Sequence, residues 1–245
     1  MLFRSKPEEL HNEELLYRLF GVQAELLIDH AWGWEPCTIA AIKTYRPKSS
    51  SLSSGQVLPE PYPHEKARLI VREMADQLSL ELVEKGLVCS QFVLDIGYDA
   101  ENLSAPVRQK TYHGPTKTDR YGRAVPAAAH GSVNLPVPAS SARILMQAAA
   151  EVFDRIADSR LSVRRVTVTA AGLLRQEEAQ LVGGDQLDLF GNYAAHQQQK
   201  AELERELSGQ QAIVALRQKY GKNAVLRGMD LQEGATTKGR NGQIG

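Results

Sequence analysis

The carboxylates best placed to do chemistry are Asp95 and Asp99 in the run DIGYD, since residues four apart on a strand share a face and a pair of acids can serve a metal ion. At the usual rise of an extended strand they stand about 13 Å apart, too far for one ion between them. The six histidines are scattered, without HExxH or a paired ligand spacing. No GxxxxGK[ST] run occurs, and no nucleophile has a recognisable base and orienting group. No catalytic or metal-ligating residue is assigned. A metal-dependent nuclease using Asp95 and Asp99 is the weaker expectation, and binding is the stronger.

The segment Val163 to Ala170, VRRVTVTA, carries a different chemistry. Its alternation puts Val166, Val168 and Ala170 on one face and Arg165, Thr167 and Thr169 on the other, the pattern of a strand with one face on a core. A basic, hydroxyl-bearing face suits phosphates, and it equally suits plain solvation. Formal net charge is zero, with 29 basic and 29 acidic residues, so any surface for a polyanion must be local. From Pro106 to Gly131 the bases Arg108, Lys110, Lys117, Arg120 and Arg123 face the single acid Asp119, which leaves a local charge of plus four. This loop reads either as a solvated insertion or as a phosphate-contacting arm.

These residues need a scaffold, and 245 residues with 42% hydrophobic content suffice for one main core with appendages. Cys37 and Cys89 lack metal spacing and have apolar neighbours, which predicts buried free thiols in a reducing compartment. No apolar run reaches ~18 residues and the start is too acidic for an export signal, so a cytoplasmic protein without a membrane partner is expected.

In chain order, 12–19 and 24–32 read as two short helices broken at Gly21, with Trp32 and Trp34 as packing residues. KSSSLSSGQVL follows as a hydroxyl-rich strand or linker, and Pro59, Pro61 and Pro63 punctuate a connection. A helix over 64–85 buries Ala67, Ile70, Val71, Met74, Leu78 and Leu82 and stops at Gly86. The run 91–99 alternates as a strand, 100–127 is a polar excursion, and 128–135 is a strand with His130 and Ser132 on one face. A second helix over 140–157 is capped by Ser140 or Ser141, and the strand at Val163 closes the set.

The order strand, helix, strand, strand, helix, strand predicts an α+β fold: a four-stranded sheet with both helices on one face and the other face free. That free face would carry Ser51, Ser53, Asp95, His130, Ser132, Arg165, Thr167 and Thr169. Beyond Gly172, QLDLF presents Leu187, Leu189 and Phe190 between glycines, which suits either a partner's apolar pocket or local packing. Residues 194–220 read as a helix interrupted at Gly209. The basic, glycine-rich end reads as partly disordered, or ordered only on a partner.

Taken together, ELLYRLFGVQAELLIDHAWGWEPCTI, KSSSLSSGQVL, VLDIGYD, TKTDRYGRAVPAAAHGSVNL, VRRVTVTAAGL and KYGKNAVLRGMDLQEGATTKGRNGQIG resemble, in order, the C-terminal part of the Y-family translesion DNA polymerases, in their bacterial ultraviolet-damage-repair branch. The resemblance implies the end of a thumb over 1–46 and a DNA-binding little finger domain over 47–180. It further implies a clamp-binding peptide over 181–193 and a helical, basic tail over 194–245. Primer-template duplex DNA would lie on Ser51, Ser53, Arg108, Lys110, Lys117, Arg120, Arg123, His130, Ser132, Arg165, Thr167 and Thr169. Gln186, Leu187, Asp188, Leu189 and Phe190 would enter the replicative sliding clamp. The family's palm, which holds two magnesium ions, has no counterpart in these residues. A cut polymerase without nucleotidyl transfer or a cofactor of its own is therefore expected, magnesium being needed by the complete parent. A free-standing clamp-binding or protein-interaction module is the alternative.

Overall fold

Alternating apolar residues make the central strands, and the computed structural model, which describes residues 13–45, 51–104, 112–182 and 193–243, shows how they pair. Strands β1 (Ser51–Tyr62), β2 (Leu87–Tyr98), β5 (Ala129–Ala139) and β6 (Val163–Arg175) form one antiparallel sheet in the order β1-β6-β2-β5. On its inner face Phe92 opposes Ala170, Leu94 opposes Val168 and Ile96 opposes Val166. All six are fully buried.

Helices α4 (His64–Glu84) and α6 (Ala142–Ile156) cover that face. The stripe Ala67, Ile70, Val71, Met74, Leu78 and Leu82 of α4 meets Leu145, Ala149, Val152 and Phe153 of α6 in one core. Burying a side chain such as Phe92 or Phe153 contributes roughly 1.5–3 kcal/mol each. Gly86, at φ 64, takes the left-handed conformation that stops α4. Ser141 is the cap of α6, its hydroxyl accepting from the Ile144 N–H at 3.2 Å. The α+β sheet with two helices on one face is thus the observed fold.

Several expectations are corrected. Pro59 and Pro61 do not form a connection: β1 continues through them to Tyr62, with an irregular register after Val57, and Pro63 alone joins β1 to the next helix. An edge strand tolerates prolines because its outward N–H groups need no ladder partner. The excursion after β2 contains a short helix, α5 (Glu101–Ser104), and a hairpin of β3 (Thr116–Thr118) with β4 (Ala124–Pro126).

The tail packs against its own domain and needs no partner for that. Helix α7 (Gln176–Val182) follows β6, and α8 (Tyr193–Tyr220) runs unbroken through Gly209. A 3-10 turn (Gly228–Leu231) and α9 (Thr237–Arg240) complete the described chain. Polar side chains do the docking. Glu206 accepts from the Ser141 hydroxyl at 2.7 Å and the Arg143 N–H at 2.9 Å, a carboxylate at the positive end of α6. Arg227 donates to Asp76 at 2.6 Å, and Glu73 accepts from the Thr236 and Thr237 N–H groups. Burial pushes both carboxyls above the ordinary range, against the pull of those partners.

The chain divides at Lys48 and Ser49 into two units. In the first, α1 (Glu13–Phe20) and α2 (Gln23–Ala31) pack on each other about Gly21, and α3 (Ile39–Thr44) follows, capped by Thr38. Trp32 and Trp34 are exposed rather than packed, at 75% and 60%. Cys37 is exposed too, because its apolar neighbours are themselves on the surface. Cys89 is the buried thiol, its pKa pushed up to about 12 by burial.

Candidate nucleic-acid interface

The outer face of the sheet is set by the same registers that build the core. Four rows cross the strands: Ser51, Ala171, Gln91 and Asn134; Ser53, Thr169, Val93 and Ser132; Gly55, Thr167, Asp95 and His130; and Val57, Arg165 and Gly97. Ser51, Ser53, His130, Ser132, Arg165, Thr167 and Thr169 are thereby brought onto one surface. Its side chains are exposed or half-buried.

Neighbouring polar groups on this face bond across strands. Ser53 Oγ and Thr169 Oγ1 are 2.7 Å apart, and Gln91 Nε2 donates to Asn134 Oδ1 at 3.1 Å. Asp95 would repel a phosphate, yet its Oδ1 accepts from His130 Nδ1 at 2.7 Å. The acid is thus shielded by the histidine expected to meet DNA. Gly97 opposes Arg165 in the same ladder and leaves room above the backbone for the arginine stem. Gln91, Asn134, Gly97 and Gly55 belong to the face as much as the expected residues do. Gln91, Gly97 and Asn134 follow the outward alternation of β2 and β5, and Gly55 joins them from β1.

The β3–β4 hairpin carries the second set. Its tip is fixed by Asp119, which accepts from the Tyr121 and Arg123 N–H groups at 2.9 Å each and from the Arg123 guanidinium at 2.7 Å. The Arg123 N–H is the leading cause that holds the Asp119 carboxyl below its usual range. Arg120 and Arg123 lie 4.8 Å and 5.2 Å from the centre of the exposed Tyr121 ring. Lys117 is exposed on β3. Arg108, Lys110 and the run Gln186, Leu187, Asp188, Leu189 and Phe190 lie outside the described residues.

Asp95 and Asp99 are committed separately. Asp99 follows the end of β2, accepts from the Glu101 N–H at 2.8 Å and faces Arg164 at 3.6 Å, while Asp95 is held by His130. Among the described residues no group of three or more His, Cys, Asp or Glu converges. What the outer face and the hairpin offer is hydroxyl, amide and guanidinium donors for phosphate oxygens.

Residues 49–189 match the impB/mucB/samB family C-terminal domain. No curated protein matches the chain.

Proposed function

The chain belongs to the impB/mucB/samB family, whose C-terminal domain is the DNA-binding little finger of the Y-family polymerases, and from that premise we propose that its outer sheet face and β3–β4 hairpin grip primer-template duplex through the phosphate backbone. The observation that carries this reading is the set of hydroxyls and amides that the rows of Ser51 and Ser53 bring onto one face, with Arg165 as an exposed cation beside them. Hydroxyls and amides position a duplex without reading its bases, and the arginines displace phosphate counterions, so binding is indifferent to sequence and salt-dependent.

In this proposal Gln186 to Phe190 tethers the polymerase to the sliding clamp, from a position between the end of α7 and the start of α8. A glutamine followed by two leucines and a phenylalanine supplies one polar and three apolar anchors for a pocket. Template-directed nucleotide addition past lesions, in DNA repair and with magnesium, belongs in this proposal to the complete polymerase. The residues here hold the DNA and the clamp. No helix among the described residues is long and apolar enough to cross a membrane.

The test is fluorescence anisotropy with labelled primer-template duplexes of unrelated sequence at rising salt. Affinity should fall with salt, alike for each sequence, and should drop when Arg165 and Arg123 are both replaced by glutamine. Unchanged affinity in that double variant would reject the surface.

A further inference from the structure

On the helical side of the sheet a cavity of about 480 Å³ opens between α4, α8 and the tail. Its donors outnumber its free acceptors. Arg217 gives Nε and Nη2 to the Val225 carbonyl at 3.1 and 2.8 Å and Nη1 to Gln77 Oε1 at 2.8 Å. That last bond turns the Gln77 amide so that its Nε2, buried, has no acceptor. Across the cavity the Arg240 guanidinium makes no side-chain hydrogen bond among the described residues, although Glu73 attracts it. Burial pulls the Arg240 pKa below its ordinary value, the mark of a cation short of compensation.

The acids of the wall are already engaged. Glu81 takes Lys85 at 2.7 Å, and Glu84 takes Gln218 at 3.0 Å. The Lys222 ammonium, at the rim, forms no ion pair among the described residues. A guanidinium without a hydrogen bond and an ammonium without an ion pair therefore line one space. A guanidinium without a hydrogen bond gains from an acceptor with several oxygens. A planar guanidinium matches two oxygens of a phosphate at once. The volume falls in the ~300–1,000 Å³ range of small-molecule sites.

We propose that this cavity is a phosphate-binding site, separate from the outer sheet face, in which Arg240 and Lys222 hold the oxygens of a phosphate group. It does not depend on the DNA reading of the outer face. The ligand spans α4 and the tail, so its binding locks the C-terminal segment onto the helix that covers the core.

The test uses the whole chain with inorganic phosphate as the probe, followed by amide exchange of the Thr236–Arg240 segment and by thermal unfolding. Phosphate should slow exchange in this segment saturably. Arg240→Gln and Lys222→Gln should each weaken binding roughly tenfold, the effect of losing a charge-assisted hydrogen bond. Lys222 is exposed, so its variant keeps the fold even if Arg240→Gln loosens the tail. A second arm replaces phosphate with a short single-stranded oligonucleotide. If only the oligonucleotide protects the segment, with the same losses in Arg240→Gln and Lys222→Gln, the phosphate comes from a nucleic-acid strand. The site is overturned if neither probe protects the segment, or if both variants respond like the unmodified chain.

Discussion

Gly97 pairs with Arg165 across the β2–β6 ladder, and a methyl group at position 97 would stand 3.2 Å from the Arg165 Cβ. The missing side chain gives the arginine its lane over the sheet. Gly97→Leu should crowd the guanidinium aside without removing its charge, lowering duplex affinity about threefold while leaving the salt slope unchanged. Arg165→Gln should lower affinity similarly and reduce the slope by about one. Anisotropy at several salt concentrations separates the two, and wild-type behaviour from both would mean that DNA does not touch this row.

Asp119 cancels part of the hairpin's positive charge through its contact with Arg123. Asp119→Asn retains an oxygen for the backbone N–H groups that shape the tip and frees the guanidinium. Duplex affinity should rise about twofold, with a steeper salt dependence. A flat or weakened response would show that the hairpin does not approach the backbone.

For the pentapeptide, replacing Leu189 and Phe190 together by alanine should abolish measurable binding to purified sliding clamp, as expected when two apolar anchors leave a pocket. Duplex affinity of the same variant should not change. Clamp binding that survives both substitutions assigns the contact elsewhere.

Asp76 is 1% exposed and its partner Arg227 40% by side chain, so cutting the pair from the arginine side strands a buried carboxylate. Arg227→Ala should cost about 3 kcal/mol in urea unfolding at pH 7, more than Asp76→Asn. The sign of the pH effect follows from burial, which holds the folded Asp76 pKa above its unfolded value. A carboxyl raised in this way binds its proton in the folded state first, so its penalty is lost as pH falls through the folded pKa. With Arg227 gone the weaker attraction of Arg217 still opposes that rise, and Arg227→Ala should recover stability as pH falls from 7 toward the ordinary carboxylate range, more than the unmodified chain does. A constant deficit across that range would contradict it.

The sheet and its two helices were legible because each buries one continuous apolar face, and period-two and period-3.6 patterns follow from that burial alone. The outer face was legible for the same reason, since fixing Phe92, Leu94 and Ile96 inward fixes Gln91, Asp95 and Gly97 outward. The tail was not. Gln210, Glu206 and Arg227 dock it through hydrogen bonds, and polar residues that bond a neighbour look, in one dimension, like polar residues that bond water. Gly209 misled similarly: its cost of about 1 kcal/mol in a helix interior is absorbed by a helix anchored on both sides of it. The Asp95–His130 bond was hidden because it joins residues 35 apart and depends on register.

The two outer strands have a consequence for how many chains can share this surface. β1 carries Pro59 and Pro61, and β5 carries Pro136 and Pro138, so each margin lacks donors that an incoming strand would need. On β5 the Ser132 carbonyl is already taken by Arg155 at 2.6 Å. Neither margin can be extended freely by a fifth strand from another copy, which keeps the platform four strands wide and guards an exposed polar sheet against edge-to-edge aggregation.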